Sequence, residues 1–144
     1  MRKIAITGGI ASGKSELSNF LKSKGEVVID LDEISHTLTD SDEDTIKEII
    51  EIFGDGIKKQ SGAIDRKLLA AKVFSNSEKK EQLEEILHPR IRQSMMNEID
   101  SVEKENVFVE VQLLAEKNMG KLFDHIIIVS ASKDQQINRI KLSE

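Results

Sequence analysis

Apolar residues recur with two different periods along this chain, and the change of period divides it into parts. Lys3-Ile4-Ala5-Ile6-Thr7 is a short apolar run with two β-branched isoleucines, which predicts a buried strand. Leu17, Phe20 and Leu21 follow at i, i+3, i+4 spacing and predict an amphipathic helix from Lys14 onward. Lys24-Gly25 is a stop signal, and Val27-Val28-Ile29 predicts a second buried strand that ends on Asp30-Leu31-Asp32. Residues 33–105 then read as helical in period, with no strand. Ser41 and Asp42 can cap a helix carrying Ile46, Ile49, Ile50 and Phe53 on one face. Gly54-Asp55-Gly56 breaks it, and residues 58–62 are polar and predict a loop. Asp65 opens a helix with Leu68, Leu69, Val73 and Phe74 as its apolar positions. Ser75-Asn76-Ser77 interrupts, and residues 78–87 form another helix. Its expected end is His88-Pro89, with a new helix over 90–102, because proline suits a first turn.

The period of two returns at Val107-Phe108-Val109-Glu110-Val111, followed by a short helical turn over 112–116. Residues 124–129 give a continuous apolar strand of the kind found in a sheet covered on both faces. Residues 133–144 are amphipathic, with Ile137 and Ile140 apolar. A strand, helix and strand this closely spaced predict a right-handed parallel crossover. The expected fold is therefore α/β: a parallel sheet flanked by helices, with a helical insertion. The whole of 1–144 is one domain, its core about 1–32 and 106–144 and its insertion about 33–105.

Between the first strand and helix lies Gly8-Gly9-Ile10-Ala11-Ser12-Gly13-Lys14-Ser15, which satisfies the phosphate-binding P-loop pattern in the context that pattern needs. Glycines let backbone N–H groups approach a polyphosphate, and the helix N-terminus adds unpaired donors and its dipole. Lys14 is placed to reach the β- and γ-phosphates, and the Ser15 hydroxyl to hold Mg²⁺. The plainer reading is a glycine turn capped by Ser12. In a parallel sheet, ligands bind beyond the carboxyl ends of the strands, so Asp30 emerges on the P-loop edge. There it can accept a proton from an attacking hydroxyl or hold Mg²⁺ through water, with Asp32 as second candidate or as a helix cap. Glu110, within the third strand, is a candidate magnesium carboxylate.

Inside the insertion, Arg66 opens a helix, and Arg92 lies one turn beyond His88 and can share its face. Arginine forks suit phosphate, so these residues could grip an anionic acceptor; on pattern alone each is an ordinary solvated helix or junction residue. The composition narrows the partners. The net charge of −5 and the lack of a basic run argue against nucleic-acid and membrane-surface binding. The absence of cysteine excludes disulfides and thiolate chemistry. No apolar run approaches spanning length and no signal-peptide core follows the first residue, so the expected compartment is the cytoplasm.

Five segments, in order, resemble the dephospho-CoA kinases. Residues 6–15 are similar to that family's T-G-G-I-x-S-G-K-S, and Val28-Ile29-Asp30-Leu31-Asp32 to its V-I-D-A-D. Residues 64–69 with Val73-Phe74 are similar to L-D-R-x-x-L…V-F, Leu87-His88-Pro89-Arg90-Ile91 to L-H-P-x-I, and residues 110–116 to D-x-P-L-L-F-E. The resemblance implies a P-loop kinase that uses ATP and Mg²⁺ to phosphorylate the ribose 3′-hydroxyl of dephospho-CoA, completing coenzyme A. It implies that Gly8, Gly9, Ala11, Ser12, Gly13, Lys14, Ser15 and Glu16 surround the nucleotide phosphates, with Asp30 as general base and Lys14 catalytic. It further implies that Asp32, Arg66, His88 and Arg92 bind the acceptor, and that Ser15 and Glu110 serve the metal.

The departures are Glu110 for aspartate, Gln112 for proline and Ala115 for an aromatic residue. Ser143-Glu144 stands where the family has Arg-Asp before an arginine-bearing lid helix and an adenine-contacting loop. Without a lid, turnover is expected to be severely reduced. Two other functions fit the same motifs: a non-catalytic module that binds nucleotide or CoA, and a kinase for another nucleoside or nucleotide. The oligomeric state is open.

Overall fold

A computed structural model of the chain describes residues 1–9, 13–111 and 120–130. It divides into two compact units, one of residues 1–32 with 98–144 and one of residues 33–97.

The first unit is built on a sheet. Strand β1 (Arg2–Gly8) leads to helix α1 (Lys14–Ser23), then β2 (Val27–Asp30). After the second unit the chain returns as β3 (Asn106–Glu110) and β4 (His125–Val129). The sheet order is β2-β3-β1-β4, and all three pairings are parallel. Ala5, Ile6, Ile29, Val107, Phe108, Val109 and Val111 are buried, as apolar runs in a covered parallel sheet should be. Each end of β1 is fixed by its neighbours. The Lys3 N–H donates to the Asp124 carboxylate at 2.8 Å, and the Val111 N–H continues the ladder to the Ile6 carbonyl at 2.8 Å.

Two expectations for this unit fail. Strand β4 is not covered on both faces: Ile126 is 48% exposed, Ile127 37% and Ile128 70%. Among the described residues β4 is the sheet's edge, paired to β1 alone. A continuous apolar run reports a preference for burial, and carries no record of which neighbours supply it. Phe20, on the apolar stripe that the spacing predicts for α1, is 56% exposed, with the Lys24 ammonium over its ring.

The second unit is helical, and the chain passes into and out of it along helices. Helix α2 spans Leu31–Ser41, α3 Glu43–Phe53, α4 Arg66–Phe74 and α5 Ser77–Asp100. Its core is Ile49, Phe53, Ile57, Ile64, Leu69 and Ile86, with Ile46, Ile50, Val73 and Leu83 packed on the outside. Asp42 caps α3, and Gly54, at φ +85°, ends it in a conformation that a side chain disfavours. The segment expected as a plain loop is a tight hairpin in which Lys58 bridges Ile64 and the Gly62 N–H bonds the Lys59 carbonyl. Leu68 and Phe74, expected as apolar contacts of α4, are exposed, while Leu69 is buried.

The break expected at His88-Pro89 does not occur. Helix α5 runs unbroken through Pro89. Proline removes one helix hydrogen bond and crowds the carbonyl of the turn before it. Arg90 Nη1 donates to the Ile86 carbonyl at 2.9 Å, one residue past the Glu85 carbonyl that the proline leaves without its usual donor. Ile86, Met95 and Ile99 are all buried and hold both halves of the helix in place. No helix among the described residues is long and apolar enough to cross a membrane.

Candidate functional site

The motif glycines lie between the end of β1 and the start of α1. The N-cap of α1 is Gly13, left-handed at φ 99°, which presents no side chain to the amides of the first turn. Those amides therefore have no capping acceptor from the N-cap position, the condition under which a helix start binds an anion. Lys14 is half-buried, and Ser15 and Glu16 are exposed in that first turn. Ala11 and Ser12 lie outside the described residues.

The carboxylates stand at the same end of the sheet. Asp30 pairs in register with Glu110 across β2 and β3, and Glu110 with Ile6 across β3 and β1. Register partners in a parallel sheet point to one face, and adjacent strands are about 4.8 Å apart. Asp30 and Glu110 are thus neighbours on the face where α1 lies. That face is identified by a contact, since the buried Ser18 hydroxyl of α1 donates to Glu110 Oε2 at 3.1 Å. Two neighbouring carboxylates suit a divalent cation. No group of three or more acidic or histidine residues that could hold a metal occurs among the described residues. One or two carboxylates, with the remaining positions filled by water and phosphate oxygens, is the arrangement magnesium takes in phosphotransfer sites.

Asp30 also has a local task. It is the last residue of β2, and its Oδ1 accepts the Asp32 N–H at 2.9 Å. The side chain that caps the start of α2 is therefore Asp30, where the sequence offered Asp32 as one possible cap. Asp32 sits exposed in the first turn of α2.

In the helical unit, Arg66 opens α4 directly after Asp65, whose carboxylate accepts from the Lys67 and Leu68 amides. Arg66 Nη1 donates to Thr39 Oγ1 at 3.3 Å, and the Ile64 N–H donates to the Thr39 carbonyl at 2.9 Å. Thr39 is buried and ties the guanidinium to α2. His88 and Arg92 are exposed one turn apart on α5, as their spacing indicated. Sequence reasoning missed Ser18 and Thr39. The available signal for Ser18 was a small hydroxyl residue within the buried side of α1, three residues after Ser15. Thr39 carried no comparable signal.

Comparison with known proteins bears on this arrangement. A family model described as dephospho-CoA kinase matches residues 2–143. The dephospho-CoA kinase of Geobacillus kaustophilus is 36% identical over 140 residues, covering 95% of this chain and 70% of that protein. That of Shouchella clausii is 33% identical over 141 residues, covering 96% and 72%. Among solved structures, TT1252 from Thermus thermophilus superposes with a TM-score of 0.86 at 33% identity, over 98% of this chain and 71% of that one. A dephospho-CoA kinase from Campylobacter jejuni, at 24% identity and TM-score 0.68, shares the fold.

Proposed function

The chain belongs to the dephospho-CoA kinase family, and from that premise we propose that it transfers the γ-phosphoryl group of ATP to the ribose 3′-hydroxyl of dephospho-CoA. The observation that carries the site assignment is the alignment of Asp30 and Glu110 at adjacent strand ends, on the face occupied by the P-loop helix.

The transfer forms a bond from the sugar oxygen to γ-phosphorus and breaks the bond from γ-phosphorus to the β–γ bridging oxygen. ADP leaves, and the hydroxyl proton needs an acceptor. Asp30 is that acceptor, its Oδ1 steadied by the Asp32 amide so that the carboxylate keeps one orientation. Lys14 and the first-turn amides of α1 hold the β- and γ-phosphates and offset charge on the transferring oxygens. Mg²⁺ supplies further neutralisation of the phosphate oxygens, with Ser15 and Glu110 as the residues that would hold it. Asp32, Arg66, His88 and Arg92 are assigned to the acceptor. Thr39 holds one nitrogen of the Arg66 guanidinium, a group whose fork suits a phosphate.

The test presents ATP and Mg²⁺ with dephospho-CoA, adenosine and AMP as competing acceptors and identifies the products by mass. CoA should be the dominant product. Phosphorylation of another acceptor in preference would replace the substrate, and nucleotide binding without any product would make the chain a binding module.

A further inference from the structure

We infer that Ser18 is a positioning residue for the Glu110 carboxylate, fixing how that side chain meets the divalent cation that accompanies the nucleotide. The inference rests on reading the site as a Mg²⁺–nucleotide site and adds a residue to it.

Ser18 is 2% exposed and lies on α1 one turn after Ser15, so the two hydroxyls are neighbours on the helix surface. Its hydroxyl donates to one oxygen of Glu110 at 3.1 Å. Among the described residues, Ser18 is the only hydrogen-bonding or ion-pairing partner of the Glu110 carboxylate. A half-buried carboxylate with one neutral donor is incompletely compensated, and Asp30 beside it adds a second negative charge. Had the contact served only to tie α1 to the sheet, an apolar pair would do so without that desolvation cost.

Glutamate also has three side-chain torsions to order. Anchoring Oε2 to a rigid helix removes most of that freedom and leaves Oε1 to face a cation or its bound water. Both protein contacts to the cation, Ser15 directly and Glu110 through Ser18, then refer to the same helix. A cation and the phosphates it bridges are thereby held in one frame with Lys14.

Calorimetric titration of ADP, in excess Mg²⁺ and in EDTA, tests this on the whole chain. The wild type should bind ADP more tightly with Mg²⁺. Ser18→Ala should keep its affinity in EDTA and lose roughly tenfold of the Mg²⁺ enhancement, the scale typical of an outer partner of a metal ligand. Ser18→Thr should restore it. An undiminished enhancement in Ser18→Ala overturns the positioning role while leaving the site reading intact. A wild type with no Mg²⁺ enhancement overturns both. Should alanine impair folding, shown by loss of the cooperative melt, Ser18→Thr and Ser18→Val match in volume and carry the same comparison.

Discussion

Thr7, immediately before the first motif glycine, is fully buried, and its hydroxyl has no hydrogen-bond partner among the described residues. An unpartnered buried hydroxyl costs about 1–3 kcal/mol, and valine has nearly the same shape. Thr7→Val should therefore raise the free energy of unfolding by about 1 kcal/mol, read from urea denaturation; a loss of stability would mean that the hydroxyl is satisfied. The two aspartates after β2 are separable by a change that respects the fold. Asparagine caps a helix as well as aspartate does, so Asp30→Asn keeps the bond to the Asp32 amide while removing the proton acceptor. The expected loss in kcat is about 10²- to 10⁴-fold, with Asp32→Asn milder. The reverse ranking would make Asp32 the base. Glycines, Lys14, Ser15 and Asp30 were legible in the sequence because each belongs to a local pattern. Ser18 and Thr39 were not, because their meaning depends on partners 92 and 27 residues away.

At the scale of elements, α3 shows how local and distant signals divide. Its start is written locally. Asp42 accepts from the Thr45 amide and the Thr45 hydroxyl, and the hydroxyl bond, then the amide, hold the Asp42 carboxyl below its usual value against partial burial, with Arg90 adding attraction. Its other end is closed from afar. The ammonium groups of Lys72 and Lys79 donate to the Phe53 and Ile52 carbonyls at 3.2 and 3.0 Å. A carboxyl depressed in the folded state contributes stability above its unfolded pKa, near 3.9, and loses it as pH falls through the lower folded value. Asp42→Ala should therefore cost about 1 kcal/mol at neutral pH, and less once the solution is well below pH 4. Urea midpoints of both proteins at the two pH values check this; an equal difference at both would contradict it. Arg90 ties α5 to α3 next to the proline. It donates to the Ile86 carbonyl and pairs with Glu48 at 2.9 Å. Arg90→Met should destabilise the chain by about 1–2 kcal/mol, seen in the same denaturation, and an unchanged midpoint would mean that these two contacts contribute nothing to stability.

For the whole molecule, the sequence carried the parallel sheet and the helical stretch between its strands, since each follows from a period. The exposure of β4 did not follow, because a strand's apolar run does not say which side is covered. The helical unit's residues assigned to the acceptor rest on segment resemblance, as they sit on separate helices with no motif joining them. The proposed reaction requires nucleotide, metal and sugar hydroxyl to meet at the carboxyl edge of β1, β2 and β3. Incubation with ATP, Mg²⁺ and dephospho-CoA, with ADP and CoA quantified together, tests it most directly. One CoA should appear for each ADP formed, with a fall of about 10²-fold or more in Lys14→Ala. ADP released without CoA, or full activity in Lys14→Ala, would contradict it.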